Sequence, residues 1–252
     1  MTKNTSLQPR RSFIFVPGLR PDMFPKAVAS GVDMVCVELE DGIAPKDKAE
    51  ARKKALALFD KPHSDDGVER IVRINSMREK FGIEDVSAIL STQTPPPALM
   101  MPKVRSPDEI IILDQLLSEA GHDTRLHVII ETNEGLEAAY EIAHSSDRMD
   151  AMFFGAIDMA PELRCDMAWE PLLYARSKVV HAAASAGLDV RGVPSLALYY
   201  LAGMRVRGGH ARRQGISGRG SRQPQHVTIR NNGCKMLGER NSADRHHKTG
   251  LT

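Results

Sequence analysis

Short apolar stretches alternate with longer stretches of helical pattern up to about residue 196 of the chain. The apolar stretches are rich in Val, Ile and Phe and carry few polar residues before their ends. Such nearly continuous apolar runs are typical of strands that are buried on both faces of a parallel sheet. Seven strands are predicted, at residues 12–18, 33–41, 70–75, 98–103, 126–131, 151–155 and 189–195.

Helical patterns lie between these strands, at residues 45–60, 106–121, 133–143 and 170–186. In the first of them, Ala49, Leu56 and Phe59 are expected on one side and the lysines on the other. The second begins with Ser106 and carries Glu109 three residues later. This spacing predicts a capping box at the start of that helix.

Alternating strands and helices predict either a (β/α) barrel or a doubly wound sheet. No G-x-G-x-x-G motif follows the first strand, which counts against a dinucleotide-binding sheet. An eighth strand is not recognisable. We therefore expect an α/β fold of the TIM type, an incomplete (β/α)8 barrel over residues 11–204, preceded by an extension at residues 1–10.

The composition is typical of a soluble globular protein, with 42% hydrophobic and 26% charged residues in a chain of 252. No apolar run approaches the roughly 20 residues that span a bilayer. The first residues contain no apolar signal region. Because the three cysteines form no pair at metal-ligand spacing, we expect a reduced, cytoplasmic protein without disulfides and without a membrane partner.

Polar residues follow six of the predicted strands in succession. In a barrel the carboxyl ends of the strands converge on one face, where catalytic groups lie. An acid at one strand end alone is as often a cap for the next helix. Notable residues at six strand ends in succession predict a shared site. These residues are Gly18, Glu40, Asp41, Arg73, Asn75, Lys103, Glu131 and Asp158.

Two of these carboxylates, Glu131 and Asp158, stand on neighbouring strand ends and suit a hard divalent cation. Mg²⁺ takes one or two protein carboxylates and fills its other positions with water and substrate oxygens. Arg73 would hold a planar carboxylate through two hydrogen bonds. Together these residues predict a Mg²⁺ site for a small oxo acid.

Six stretches resemble, in order, segments of the citrate lyase β-subunit-like family of the HpcH/HpaI aldolase superfamily. They span about residues 10–196 and read RSFIFVPGLRPDMFPKAVASGVDMVCVELEDGIAPKDKAEAR, RIVRIN, PPALMMPKVRSPDEI, IIETNEGLEAAYEIA, FFGAIDMAPEL and WEPLLYARSKVVHAAASAGLD. The resemblance implies a TIM barrel that cleaves or forms a C–C bond in hydroxy acids bound to coenzyme A or acyl-carrier protein. It also implies Mg²⁺ as cofactor and a homo-oligomer, trimeric or larger.

Matched motif by motif, the resemblance assigns Glu131 and Asp158 as Mg²⁺ ligands and Arg73 as the clamp for the oxo acid. Glu40 and Asp41 match a pair near the metal that acts through bound waters. We therefore predict catalytic roles for these two residues and for Arg73.

The resemblance also places Gly18 and Lys103 at the site, where we expect them, with Arg73, to bind substrate. Glu38 stands where relatives commonly have Asp. The implied reaction is cleavage of a citryl-, malyl- or citramalyl-CoA type thioester into an acyl thioester and a 2-oxo acid.

Residues 205–252 depart from the family. They contain 11 Lys and Arg against 2 Asp and Glu, many glycines and no apolar period. No Asp matches the catalytic Asp of the family's C-terminal segment, and Asp244 lies in no matching motif. A nucleic-acid-binding arm, a disordered extension and a shifted reading frame are the three interpretations.

A shifted reading frame is the interpretation we favour, so no nucleic-acid partner is expected. Moving the codons for QGISGRGSRQ by one nucleotide permits KGFRGEAAV, which resembles the family's last strand. Two alternatives to the lyase hypothesis stay open. One is a catalytically impaired family member, and the other is an aldolase that acts on free hydroxy-oxo acids.

Overall fold

A computed structural model describes residues 10–60, 66–192, 213–216 and 227, and the backbone of residues 218–221. Seven strands form one parallel sheet in which each strand pairs with the next along the chain. The sheet is curled, so of the two architectures that the alternating pattern predicts, the doubly wound sheet is excluded. The strands are β1 Ser12–Pro17, β2 Met34–Glu38, β3 Glu69–Arg73, β4 Ala98–Met101, β5 Arg125–Ile130, β6 Met149–Phe154 and β7 Asp189–Gly192.

Eight α-helices are present in the described residues, and helices connect the successive strands. They are α1 Phe24–Val28, α2 Lys48–Ala57, α3 Lys80–Leu90, α4 Pro107–Glu119, α5 Asn133–Glu137, α6 Ala139–Ala143, α7 Ala156–Glu162 and α8 Leu173–Ser185. Short 3-10 turns at Pro21–Met23 and Pro45–Asp47 precede α1 and α2. None of the described helices combines the length and the apolar character needed to cross a bilayer.

All seven predicted strands are confirmed, with limits that lie within three residues of those expected, and residues 193–195 of the seventh fall outside the described residues. The capping box of α4 is also confirmed, since the backbone N–H of Ser106 donates to Glu109 Oε1 at 3.2 Å. The predicted buried face of α2 is wrong in one respect. Ala49 is exposed, whereas Lys48, Ala51 and Ala55 are buried. The helix therefore turns a lysine toward the protein, and this lysine lies beside the candidate site described below.

Side chains that point into the curl of the sheet follow the two-residue period of a strand. Their middle layer is apolar and includes Cys36, Ile71, Ile129 and Phe153, all fully buried. The same period continues from Ile71 to Arg73 at the carboxyl end of β3. The interior of the sheet thus carries charged groups beyond its apolar layer.

A short eighth strand, β8 Gly218–Ser221, is present although it was not recognisable in the sequence. It runs parallel to both β1 and β7, pairing with Ser12–Ile14 on one side and with Arg191 and Gly192 on the other. The pattern gave no sign of it because the stretch GRGS contains no apolar residue. Ladder hydrogen bonds use backbone groups, which any residue except proline supplies.

The segment before β8 is docked on α8. Gln214 Nε2 donates to Ser177 Oγ at 2.6 Å and to the carbonyl oxygen of Leu173 at 3.3 Å. Ile216 is buried in the core that separates the sheet from its helices. Gln214 and Ile216 belong to residues 205–252, the segment whose composition differs from the rest of the chain. The domain limits 11–204 and 205–252 stay a prediction.

Truncating Ile216 tests whether this segment packs in solution. Ile216→Ala should lower the free energy of unfolding by about 2–5 kcal/mol, the usual cost of removing a buried aliphatic side chain. Urea denaturation measures the change, with the half-exposed Ile112→Ala as the matched control. Equal stability of the two variants would show that residues 213–216 do not pack as described.

Candidate active site

The side chains that the sequence places at the strand ends are brought together at the carboxyl edge of the sheet. Glu38 ends β2, Arg73 ends β3 and Glu131 directly follows β5. Glu40 and Lys103 follow β2 and β4 and form an ion pair at 2.6 Å. The same alternation that buries the apolar layer therefore directs these charged groups to one end.

Glu131 is a buried carboxylate, only 3% exposed. Its Oε1 accepts a hydrogen bond from the backbone N–H of Lys103 at 2.9 Å. Burial raises the pKa of Glu131 well above its usual range, and the negative charges of Asp158 and Glu40 raise it further. The site thus keeps this carboxylate in a place where its charge is costly.

Gly155 makes room for that carboxylate. A Cβ at this position would lie 2.3 Å from Glu131 Oε2, a separation that no side chain tolerates. Gly155 also precedes α7, whose first turn carries the half-buried Asp158. Glycine at this strand end therefore leaves room for the Glu131 carboxylate, whose pKa the charge of Asp158 helps to raise.

Arg73 is held by two neighbouring glutamates. Its Nε donates to Glu38 Oε2 at 2.7 Å, and its Nη1 lies 3.1 Å from Glu40 Oε2. The guanidinium also stacks on the ring of Phe15, 4.7 Å from its centroid. Burial lowers the pKa of Arg73, but the charges of Glu38 and Glu40 outweigh burial, so the net shift is upward.

Lys103 links two parts of the site. Its ammonium pairs with Glu40 Oε1 at 2.6 Å and with Asp41 Oδ1 at 2.9 Å, while its backbone N–H binds Glu131. Its φ of 52° lies in the left-handed region that non-glycine residues seldom adopt. Burial lowers the pKa of Lys103, and its two carboxylate partners raise it by more.

Gly18 lies where the loop after β1 meets the end of β2. Its N–H donates to the carbonyl oxygen of Glu38 at 2.9 Å. A Cβ would come within 2.9 Å of that oxygen and 2.8 Å of Leu39 Cδ2. This packing accounts for glycine at the position, and a part in substrate binding stays a prediction.

The balance of charge at this end favours a bound cation. The described carboxylates here outnumber the described cations by five to three. No Lys or Arg of the described residues forms an ion pair with Glu131 or Asp158. Buried carboxylates without a countercharge fit a divalent metal, and oxygen ligands suit Mg²⁺. The carboxylates are Glu38, Glu40, Asp41, Glu131 and Asp158, and the cations are Lys48, Arg73 and Lys103.

A second acidic cluster, which the sequence analysis missed, lies at the opposite end of the strands. Ligand atoms of Glu69, His127 and Asp150 lie within 4.8 Å of one another, a spacing that could hold a metal ion. Two guanidiniums already pair with the carboxylates: Arg10 Nε lies 2.6 Å from Glu69, and Arg125 Nη1 lies 2.7 Å from Asp150. A cation would have to displace them, so the end that carries Glu131 is the better metal site.

The family model for the HpcH/HpaI aldolase/citrate lyase family matches residues 11–224. This chain belongs to that family. The resemblance in the six sequence motifs is therefore confirmed. The match extends past β8, so the closing strand lies within the family region.

Relatives of this chain include a citrate lyase subunit and a malyl-CoA lyase. The citrate lyase subunit beta of Escherichia coli K12 is 28% identical over 235 residues, which cover 88% of this chain and 76% of that protein. The L-malyl-CoA/beta-methylmalyl-CoA lyase of Cereibacter sphaeroides is 35% identical over 164 residues, which cover 62% and 51%.

A solved structure shows a related fold with bound ligands. The citrate lyase beta subunit of Mycobacterium tuberculosis, complexed with oxaloacetate and magnesium, is 26% identical and superposes with a TM-score of 0.75. The superposition covers 89% of this chain and 96% of that structure.

The raised pKa of Glu131 predicts how stability depends on pH. A carboxyl group with a raised pKa binds its proton more tightly when folded, so its ionisation costs stability above the ordinary glutamate pKa of about 4.3. Glu131→Gln removes this cost. In EDTA the variant should exceed wild type in stability, with a gap that widens from pH 5 to pH 8.

Thermal unfolding across this pH range measures the gap. Glu119→Gln, at an exposed position at the end of α4, is the matched control and should follow wild type at every pH. A Glu131→Gln variant that is equally or less stable than wild type at pH 8 would contradict the buried, uncompensated charge.

Proposed function

We propose that the chain is a Mg²⁺-dependent carbon–carbon lyase with a (β/α)8 barrel of the TIM type. It would cleave a hydroxyacyl thioester of the citryl-, malyl- or citramalyl-CoA type into an acyl thioester and a 2-oxo acid. Glu131 and Asp158 carry the proposal, because two neighbouring carboxylates without an ion-pair partner in the described residues would suit a divalent cation at the carboxyl edge of a family fold.

Glu131 and Asp158 would hold the metal. The related structure with oxaloacetate and magnesium supports both the ion and the class of product. When bound, Mg²⁺ supplies a Lewis acid for the oxygen atoms on which negative charge develops. The Lys103 N–H keeps one oxygen of Glu131 in place, and Gly155 leaves space for the other.

Arg73 would bind the carboxylate of the 2-oxo acid. Its Nε donates to Glu38 Oε2, and the guanidinium also forms ion pairs with Glu38 and Glu40. A guanidinium has five N–H donors, so further donors would bind the substrate carboxylate. A fixed positive charge beside the breaking bond also favours a transition state in which negative charge forms on oxygen.

Cleavage begins with loss of the proton from the substrate's hydroxyl group and gives a 2-oxo acid and a thioester enolate, which takes up a proton to become the acyl thioester. We assign this proton transfer to the Glu40–Asp41 pair, because these two carboxylates share Lys103 at the carboxyl edge of the sheet and lie outside the proposed metal pair. Lys103 fixes both of them. Gly18 and Lys103 would border the substrate at the loops after β1 and β4.

Two carriers of the acyl group are compatible with the relatives. The malyl-CoA lyase relative supports coenzyme A, while the citrate lyase subunit leaves acyl-carrier protein open. An aldolase for free hydroxy-oxo acids would use the same Mg²⁺ and Arg73. The family match ends at residue 224, and no Asp after it corresponds to the family's C-terminal Asp, so a catalytically impaired member is the second candidate. Assembly as a trimer or larger also stays a prediction.

Cleavage of malyl-CoA and citramalyl-CoA in the presence of Mg²⁺ tests this function. Turnover should cease in EDTA and fall by about 10³-fold or more in Glu131→Ala, as expected when a catalytic electrostatic group is lost. Glu119→Ala, on the exposed end of α4, is the control and should keep the wild-type rate.

The same assay distinguishes the alternatives. Inhibition by free coenzyme A is expected of the thioester lyase and not of an aldolase for free acids. Turnover that persists in both EDTA and Glu131→Ala would contradict the metal site. If wild type cleaves neither thioester, the result would favour a catalytically impaired family member or an aldolase for free hydroxy-oxo acids.

A further inference from the structure

Lys48 is a buried lysine in the first turn of α2, only 6% exposed. Lysine is among the residues least often buried, because an ammonium loses much hydration free energy in the interior. Burial accordingly lowers the pKa of Lys48, although nearby carboxylates act in the opposite direction. A residue kept at such a cost needs a compensating set of partners.

Those partners account for every proton of the ammonium. Lys48 Nζ donates to the carbonyl oxygens of Leu39 and Glu40, at 2.8 and 2.7 Å, and to Asn75 Oδ1 at 2.5 Å. An ammonium has three donors, and all three are engaged. Lys48 therefore has no proton left to offer a substrate, and its effect on the site must pass through these three oxygens.

Two of the three oxygens belong to the segment that carries the site's acids. The N–H of Leu39 still bonds to the carbonyl oxygen of Arg73 at 3.0 Å, but residues 39–41 lie beyond the end of β2. Without Lys48, the carbonyl groups of Leu39 and Glu40 would lose their ammonium partner in a buried place. The conformation of this segment decides whether Glu40 reaches Arg73 and Lys103.

The third oxygen connects Lys48 to a buried polar chain. Asn75 Nδ2 donates to the carbonyl oxygen of Leu39 at 3.0 Å and to Asp85 Oδ2 at 2.6 Å. Asp85, fully buried on α3, accepts from Arg52 Nε at 2.6 Å. Arg52 lies one turn after Lys48 on the same helix, so the hydrogen-bond network returns to α2. It joins the segments after β2 and β3 to the helices α2 and α3.

We propose that Lys48 is a positioning residue that locks the Leu39–Asp41 segment so that the Glu40 carboxylate meets Arg73 and Lys103. The consequence for catalysis rests on the proposed function, whereas the locking of the segment does not. A lysine suits this place because its three donors diverge toward three separate oxygens. The planar fork of an arginine suits two oxygens in one plane.

Hydrogen exchange of backbone amides, followed by mass spectrometry, tests the locking. Lys48→Met should speed exchange at least tenfold in the peptide over residues 39–43, and leave peptides from α8 at the wild-type rate. Lys53→Met, at an exposed position on α2, is the matched control and should change neither. Wild-type exchange over residues 39–43 in a folded Lys48→Met protein would overturn the proposal.

Asn75→Ala is a second variant in case Lys48→Met does not fold. It removes one acceptor of Lys48 and the bond to the Leu39 carbonyl, so the same peptide should exchange faster. Unchanged exchange over residues 39–43 in this variant would also overturn the proposal.

Kinetics with the thioester test the catalytic part separately. In Lys48→Met we expect kcat to fall tenfold or more with KM within twofold of wild type, and Lys48→Arg to recover part of kcat. An unchanged kcat together with faster exchange would overturn the catalytic part. If wild type cleaves no thioester, the proposed function fails, and the exchange experiment still decides the locking.

Discussion

The charge of Glu131 beside Asp158 is the constraint on which the rest of the site depends. Glu131 is buried and Asp158 half-buried at the carboxyl end of the sheet, and no Lys or Arg of the described residues forms an ion pair with either. A fold keeps such a pair only where something compensates it, and a divalent metal is the compensation that suits oxygen ligands. The Lys103 N–H holds the Glu131 carboxylate in place, and Gly155 leaves the space that the carboxylate needs.

The interior of the sheet carries two charged layers, one on either side of an apolar layer. At one end, arginines neutralise the acids around Glu69, and the result is a closed ion-pair network. At the other end, acids exceed the cations, and Lys48, Arg73 and Lys103 stabilise only part of them. The same two-residue period produces both layers, so the difference in charge balance marks the functional end.

Much of the fold and part of the site could be predicted because both follow short periods along the chain. Glu131 stands out in the sequence as an acid directly after an apolar strand, and the structure buries it there. The strand β8 could not be predicted, because backbone pairing leaves no side-chain pattern. Lys48 was expected on the solvent side of α2, because only the three-dimensional packing reveals the oxygens that surround it, which come from the segments after β2 and β3.

Titration of Mg²⁺ into metal-free protein, followed by calorimetry, tests the central claim most directly. Wild type and Glu69→Gln should each bind one Mg²⁺ with similar affinity, because Glu69 lies at the end where arginines balance the acids. Glu131→Gln should bind none over the same range of concentration. Binding that survives Glu131→Gln and disappears in Glu69→Gln would place the metal at the opposite end and contradict the account.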